Sequence, residues 1–331
     1  MHILLSTFEK ELYFLFQPKL SQPMQNLLLF LLLFLTIISC RTQSDSQTVN
    51  LTFEKDLIPE GIAVDARSGK LFLSSLRKNK IVTSEIDGRN ATDFIESNQY
   101  DYQSGFGMTI KGDTLYALSN SLQKQNNTSV LLLLNTKTRQ LIARYKTDIA
   151  PYGYLNDLAV SASNQIFVTD SESNKIYLIK RPDKNIEVYL DTVAVGHSNG
   201  IAISDDNTRL YLASVNGIRV VDVQTKKILN QPDKASAGID GMKFYRNSLI
   251  GMVEKGLMRY FLNEDGTKIV GIKELIHFDA TFQSPTTFDI VGDTVYFIKN
   301  VQLANFNDHT NEVIDTRKLE SLVLLKYKIE D

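Results

Sequence analysis

Asn199-Gly200-Ile201-Ala202-Ile203-Ser204-Asp205-Asp206, followed by Leu210-Tyr211-Leu212, reads as an oxygen-bearing side chain, a glycine, an apolar run, a turn and a second apolar run. Three other segments carry nearly the same phrase: Glu60-Gly61-Ile62-Ala63-Val64, Asn156-Asp157-Leu158-Ala159-Val160 and Asp240-Gly241-Met242-Lys243-Phe244. Aligned on the leading residue, the register also takes in Phe106 and Thr286, and successive copies begin 46, 50, 43, 41 and 46 residues apart. Short apolar runs such as 71–75, 166–170 and 295–298 fill each copy, separated by Asp-Gly, Lys-Gly-Asp and Asp-Asp-Asn. That is the turn chemistry of hairpins, and helical periodicity is absent beyond residue 48. A repeat of about 45 residues with four short strands is the signature of propeller blades. Six copies fit the 283 residues from Val49 to Asp331. The predicted fold is therefore an all-β, six-bladed propeller over 49–331. Residues 322–329 end its last blade, and 49–53 complete that sheet from the other terminus, so no blade edge is left open.

Working toward the N-terminus, residues 27–38 form a twelve-residue apolar run interrupted only by Thr36. Crossing a bilayer takes about 20 residues, so the run suits the core of a signal peptide. It ends in Ile37-Ile38-Ser39-Cys40, which resembles a bacterial lipoprotein box, cleaved before the cysteine and lipidated on it. Residues 1–40 are then a lipoprotein signal peptide and 41–48 a polar tether. The expected location is a bacterial cell envelope, lipid-anchored, periplasmic or surface-facing. An ordinary secretory signal or a membrane-proximal helix is the other reading. The n-region is weak, with Lys10 and Lys19 alternating with Glu9 and Glu11, and a start at Met1 or at Met24 leaves the same mature chain. Cys40 is the only cysteine, which excludes a disulfide within the chain. A net charge of −2 without any basic stripe argues against a nucleic-acid partner.

In a propeller the first strand of each blade lines the central channel, so one register position in every blade falls at one depth. Glu60, Asn156, Asn199 and Asp240 are thereby predicted to meet although they span 180 residues. Two carboxylates and two amide carbonyls offer only oxygen and a charge of −2, a donor set that suits Ca2+, with Mg2+, Mn2+ and Zn2+ as alternatives. Phe106 and Thr286 hold the same position in the remaining blades, so the oxygen donors are not a general property of the repeat. Gly61, Gly200 and Gly241 are expected to let the backbone bend at the channel. The bland alternative is that these polar residues serve turns or meet channel water.

With these motifs assembled, the chain resembles the gluconolactonase and senescence-marker-protein family of six-bladed propellers, and secondarily the paraoxonases. The residues that carry the likeness are Pro59-Glu60-Gly61, Asn156-Asp157, Asn199-Gly200 with its following Ser204-Asp205-Asp206, and Asp240-Gly241. The resemblance implies that Glu60, Asn199 and Asp240 bind a metal directly and that Asn156 binds the metal, its water or the substrate. Asp157 is a weaker ligand candidate, on the paraoxonase pattern. It implies hydrolysis of a small-molecule lactone or related ester, with the metal polarising the carbonyl and Asp240 as general base. A non-catalytic propeller, tied together by its metal and binding a ligand or protein partner, is the alternative. The chain is expected to be a monomer.

Two departures bear on the substrate. The gluconolactonase arginine two residues before the Asn-Asp segment is replaced by Tyr154, and the blade-two histidine of paraoxonases by Phe106. Tyr154, Phe106 and Thr286 are accordingly expected to line a pocket less suited to a polar sugar lactone, with Tyr152 a further candidate. His197, two residues before Asn199, is a candidate general base or substrate contact, against an exposed loop histidine as the plain reading. Gly196-His197-Ser198-Asn199-Gly200 matches a nucleophile elbow in letters only, because a strand and not a helix follows it.

Overall fold

Successive residues of a strand face opposite sides, and in this chain both sides are apolar. Leu71 and Leu73 join one buried cluster while Phe72 joins the next. Likewise Leu210 and Leu212 pack in one cluster and Tyr211 in its neighbour. A sheet with two apolar faces must be covered on both, which stacking blades around an axis achieves. The computed structural model describes residues 46–122, 127–147, 153–182 and 185–330. The leader, Cys40 and Tyr152 lie outside the described residues.

The described chain opens with β1 (Ser46–Leu51). Blade 1 is β2 (Ile62–Asp65), β3 (Lys70–Ser74), β4 (Ile81–Glu85) and β5 (Thr92–Ile95). Blade 2 is β6 (Ser104–Lys111), β7 (Thr114–Asn120), β8 (Ser129–Asn135) and β9 (Leu141–Thr147). Blade 3 is β10 (Leu155–Val160), β11 (Gln165–Asp170), β12 (Lys175–Lys180) and β13 (Glu187–Asp191). Blade 4 is β14 (Ile201–Ile203), β15 (Arg209–Ser214) and β16 (Gly217–Asp222). Blade 5 is β17 (Ile239–Tyr245), β18 (Ser248–Val253), β19 (Gly256–Leu262) and β20 (Ile269–His277). Blade 6 holds β21 (Asp289–Val291) and β22 (Thr294–Ile298), a small hairpin of β23 (Phe306–Asn307) and β24 (Glu312–Val313), and then β25 (Leu322–Lys328).

The six blades are antiparallel throughout, and blade 6 has the order β1-β25-β22-β21. The predicted closure is present: β1 pairs with β25 from Ser46↔Tyr327 to Leu51↔Leu322. The sheet begins at Ser46, so residues 46–48, expected in the tether, belong to it. Among the described residues blade 4 has three strands. Beyond β16 the Asn230 amide accepts from Val220 N at 2.8 Å and donates to Ile218 O at 2.8 Å. With Ser236 Oγ accepting from Ile218 N and Leu229 N donating to Val220 O, it satisfies edge groups that a fourth strand would pair.

Candidate metal centre and mouth pocket

Glu60, Asn156, Asn199 and Asp240 do come together around one small cavity, and Phe106, Asn156, Asn199 and Asp240 stand on β-bulges. In β10 the pairing steps from Leu155↔Asp170 to Leu158↔Val168, leaving Asn156 and Asp157 opposite one residue of β11. The same step occurs at Phe106-Gly107 in β6 and at Asp240-Gly241 in β17. In blade 4, Asn199 N donates to Ala213 O at 3.0 Å and Ala213 N donates to Gly200 O at 2.9 Å, again two residues facing one. A bulge twists the strand and re-aims a side chain, which turns these residues toward the axis.

The glycines of these copies also admit the neighbouring blade. Gly61, Gly200 and Gly241 have no positive φ; each is needed because the next blade's backbone lies against it. A Cβ at Gly61 would overlap the Phe106 carbonyl, one at Gly200 would lie 2.6 Å from the Asp240 carbonyl, and one at Gly241 2.9 Å from Thr287 Cα. Hydroxyls and an amide join the blades at four of the six junctions. Ser74 Oγ donates to Phe106 O at 3.2 Å, Thr169 Oγ1 to Asn199 O at 2.6 Å, and Thr286 Oγ1 to Glu60 O at 3.1 Å. Asn120 donates to Leu155 O at 3.0 Å and accepts from Leu155 N at 2.9 Å. We expect Gly61→Ala to cost about 3 kcal/mol through this overlap, lowering Tm by roughly 5–10 °C in thermal denaturation. An unchanged Tm would show that the blades separate without cost.

Glu60, Asn156, Asp157, Asn199 and Asp240 line a common cavity with about 10 Å3 open to the centre of a water-sized sphere, room for one ion or water. Asn156 Nδ2 donates to Ser171 Oγ at 3.3 Å, and Asn199 Nδ2 donates to Asp240 Oδ1 at 2.6 Å. Burial raises the Glu60 carboxyl well above the usual carboxylate range, and the nearby Asp240 and Asp157 charges add to it while Thr286 opposes. Burial likewise pushes Asp240 up to about 7, against the Asn199 hydrogen bond. Asp157 is raised by burial and held down by Lys243. Among the described residues no three His, Cys, Asp or Glu side chains form a ligand cluster. The candidate centre is instead mixed, two carboxylates with two amides. Crowded acid groups around an ion-sized space, with hard oxygen donors beside them, fit a divalent cation.

Above this cavity lies a pocket of about 600 Å3 that shares Asn199 and Asp240 with it, within the usual range for small-molecule sites. Ile239, Val253, Phe282, Pro285 and Leu303 supply an apolar wall, and His197 and Thr286 also border it. His197 arrives from a loop with φ 50° and not by strand alternation. Its Nδ1 lies 3.0 Å from Ser171 O. A carbonyl only accepts, so Nδ1 carries the proton, and in the neutral ring Nε2 is the acceptor. Ser198 is fully buried and donates to Val195 O at 2.6 Å, so the elbow-like letters hold no nucleophile. Phe106 is buried and packs edge-on against Tyr154, ring centroids 5.2 Å apart. Tyr154 is half-buried, its hydroxyl pushed up to about 12 by burial and by the Asp308, Glu172 and Glu60 charges. Neither aromatic borders the 600 Å3 pocket, whereas Thr286 does. Ser171, Thr169, Asn120 and the apolar wall were not singled out in the sequence, where a hydroxyl closing a second strand is the only trace of them.

The SMP-30/Gluconolactonase/LRE-like region family matches residues 58–245, just over half of the chain. The chain belongs to this family. No curated protein matches it by sequence. Among solved structures, the calcium-binding protein regucalcin of Agrobacterium tumefaciens is similar at 15% identity and a TM-score of 0.58, over 86% of this chain and 95% of that one. A gluconolactonase from Xanthomonas campestris is similar at 14% identity and TM-score 0.54, over 86% and 90%. The Malassezia sympodialis allergen Mala s 1 is similar at 12% identity and TM-score 0.66, over 86% and 96%. At such identities the likeness is one of fold, and the same propeller serves an enzyme, a calcium binder and an allergen. The family's Asn-Asp and Asp-Gly segments fall here on the bulges of blades 3 and 5.

Proposed function

We propose that this SMP-30/gluconolactonase family member is a divalent-metal-dependent hydrolase of lactones or related esters, with calcium as its metal. The observation that carries the reading is the shared wall: Asn199 and Asp240 border both the ion-sized cavity and the 600 Å3 pocket. Glu60, Asn156, Asn199 and Asp240 would hold the cation. When bound, it would supply polarisation of the ester carbonyl and stabilisation of the charge that develops on its oxygen. Asp240, at the boundary, takes the proton of the attacking water. His197 Nε2 at the rim is a second acceptor, able once protonated to pass a proton to the departing alkoxide. The pocket lining includes no lysine or arginine. This favours a partly apolar lactone over a polar sugar lactone. From the leader alone we infer a lipid anchor on Cys40 in a bacterial envelope.

A panel of lactones and aryl esters, assayed with and without a chelator, tests the reading. The expected result is turnover that is lost on chelation and restored by calcium. A folded, calcium-loaded protein that turns over none of the panel would favour a non-catalytic binding role.

A further inference from the structure

Three residues past the leading positions, the inner strands place Thr109, Ala159, Ala202, Lys243 and Asp289 around a second cavity of about 250 Å3. Lys243 is the one cation in its lining, and it lies in β17 three residues beyond Asp240. Its Nζ stands 3.6 Å from Asp157 Oδ1, with the two side chains 15% and 4% exposed. Asp157 therefore has two sides. One borders the ion-sized cavity, and the other faces the Lys243 ammonium. Backbone groups hold it between them: Leu158 N donates to Oδ1 at 2.8 Å and Ile201 N to Oδ2 at 3.5 Å. Asp289, from blade 6, accepts from Val64 N at 2.8 Å and Ile290 N at 2.9 Å. Burial raises both carboxyls, and Lys243 is the main influence opposing it.

A half-buried ammonium beside acids on two other blades is either a staple or a means of deciding which acids the metal meets. We propose that Lys243 is a positioning residue of the metal centre: its ammonium reserves the Asp157 carboxylate, leaving the ion-sized cavity to Glu60, Asn156, Asn199 and Asp240. This rests on the reading of that cavity as a metal centre. The pair is neutral in sum, so the cation meets two carboxylate charges and not three. Removing the ammonium alone releases a third negative charge beside the cavity, and the number of charged ligands sets the affinity of an oxygen site. A staple that only joined the blades would alter stability and leave metal affinity unchanged.

Calorimetric titration of the chelator-stripped full chain with calcium separates the two, with Tm recorded for every variant. Lys243→Met is expected to tighten calcium binding by about tenfold or more, and Lys243→Arg to retain wild-type affinity. The double variant Lys243→Met with Asp157→Asn, which removes the pair without leaving a lone buried charge, is expected to bind within about threefold of wild type. Unchanged affinity in Lys243→Met overturns this inference alone. So does a loss of tenfold or more in the double variant, because Asp157 would then be a ligand already. If Lys243→Met does not fold, Lys243→Gln, which removes the charge and keeps a hydrogen-bond donor, is titrated in its place with the same two outcomes. Absence of calcium binding by the wild type overturns the metal-centre reading and this inference with it.

Discussion

Replacing Asp240 with alanine is expected to weaken divalent-cation binding by about 100- to 1,000-fold, the span over which charge count tunes oxygen-ligand sites, while the propeller stays folded. Asp240 borders both the ion-sized cavity and the mouth pocket, and it supplies one of the two carboxylate charges assigned to the cation. Its loss leaves Glu60 with two neutral amides. Stability should follow the opposite course. In the metal-free protein the Asp240 charge raises the Glu60 carboxyl, so removing it relieves a buried repulsion. Asp240→Asn keeps an oxygen donor and loses only the charge, and a loss of about tenfold is expected there. Calorimetric titration with calcium, accompanied by thermal denaturation without metal, gives both quantities. Wild-type affinity in a folded Asp240→Ala protein would remove Asp240 from the ligand set and the ring reading with it.

The second large effect is a pH dependence that reverses with metal. Glu60 and Asp240 both titrate above the usual carboxylate range in the fold, first because burial penalises their charge. Raised folded values mean that the metal-free native state binds more protons than the unfolded chain between about pH 4 and pH 7. The Asp240 contribution to stability is therefore complete below about pH 4 and is lost as pH rises through about 7, and the Glu60 contribution is lost in the same direction. A bound cation needs both groups ionised and binds only the folded form, so its stabilisation grows over the same interval. We expect the Tm of chelator-treated protein to fall by about 5–10 °C between pH 5 and pH 8, and the gap between calcium-loaded and chelated protein to widen. Asp240→Asn should flatten the metal-free slope. A chelated protein more stable at pH 8 than at pH 5, or an identical Tm with and without calcium throughout, would contradict the assignment.

The blades could be read from the chain because a blade is local. Leu71-Phe72-Leu73 and Leu210-Tyr211-Leu212 announce a strand with two apolar faces, and the turns lie within a few residues of each run. The ring could be read because repetition brings equal positions to equal depth, so spacing alone aligned Glu60, Asn156, Asn199 and Asp240. The bulges could not. Nothing within Asn156-Asp157-Leu158 marks the slip in pairing, which depends on the partner strand β11. Nor could the close approach at the glycines, which comes from the neighbouring blade's backbone, some forty to fifty residues away in the chain. Phe106 and Tyr154 were expected at the pocket and are found packed on each other, because an aromatic at a channel position gains more from packing than from facing solvent.

The chain by itself determined the all-β class, the six repeats, the closure of 322–329 by the N-terminal strand, and the four oxygen-bearing ring residues. These follow from short-range patterns that repeat, and repetition converts sequence spacing into position around an axis. The tertiary structure alone decided that Asn156, Asn199 and Asp240 ride on bulges and that an ion-sized cavity shares Asn199 and Asp240 with a 600 Å3 pocket walled from blades 4, 5 and 6. It also decided that Lys243 stands against Asp157, 86 residues away in the chain. Such pairings belong to how far each blade is rotated against the next. Apolar periodicity shows which faces a strand buries and says nothing of which polar side chains those faces bring together.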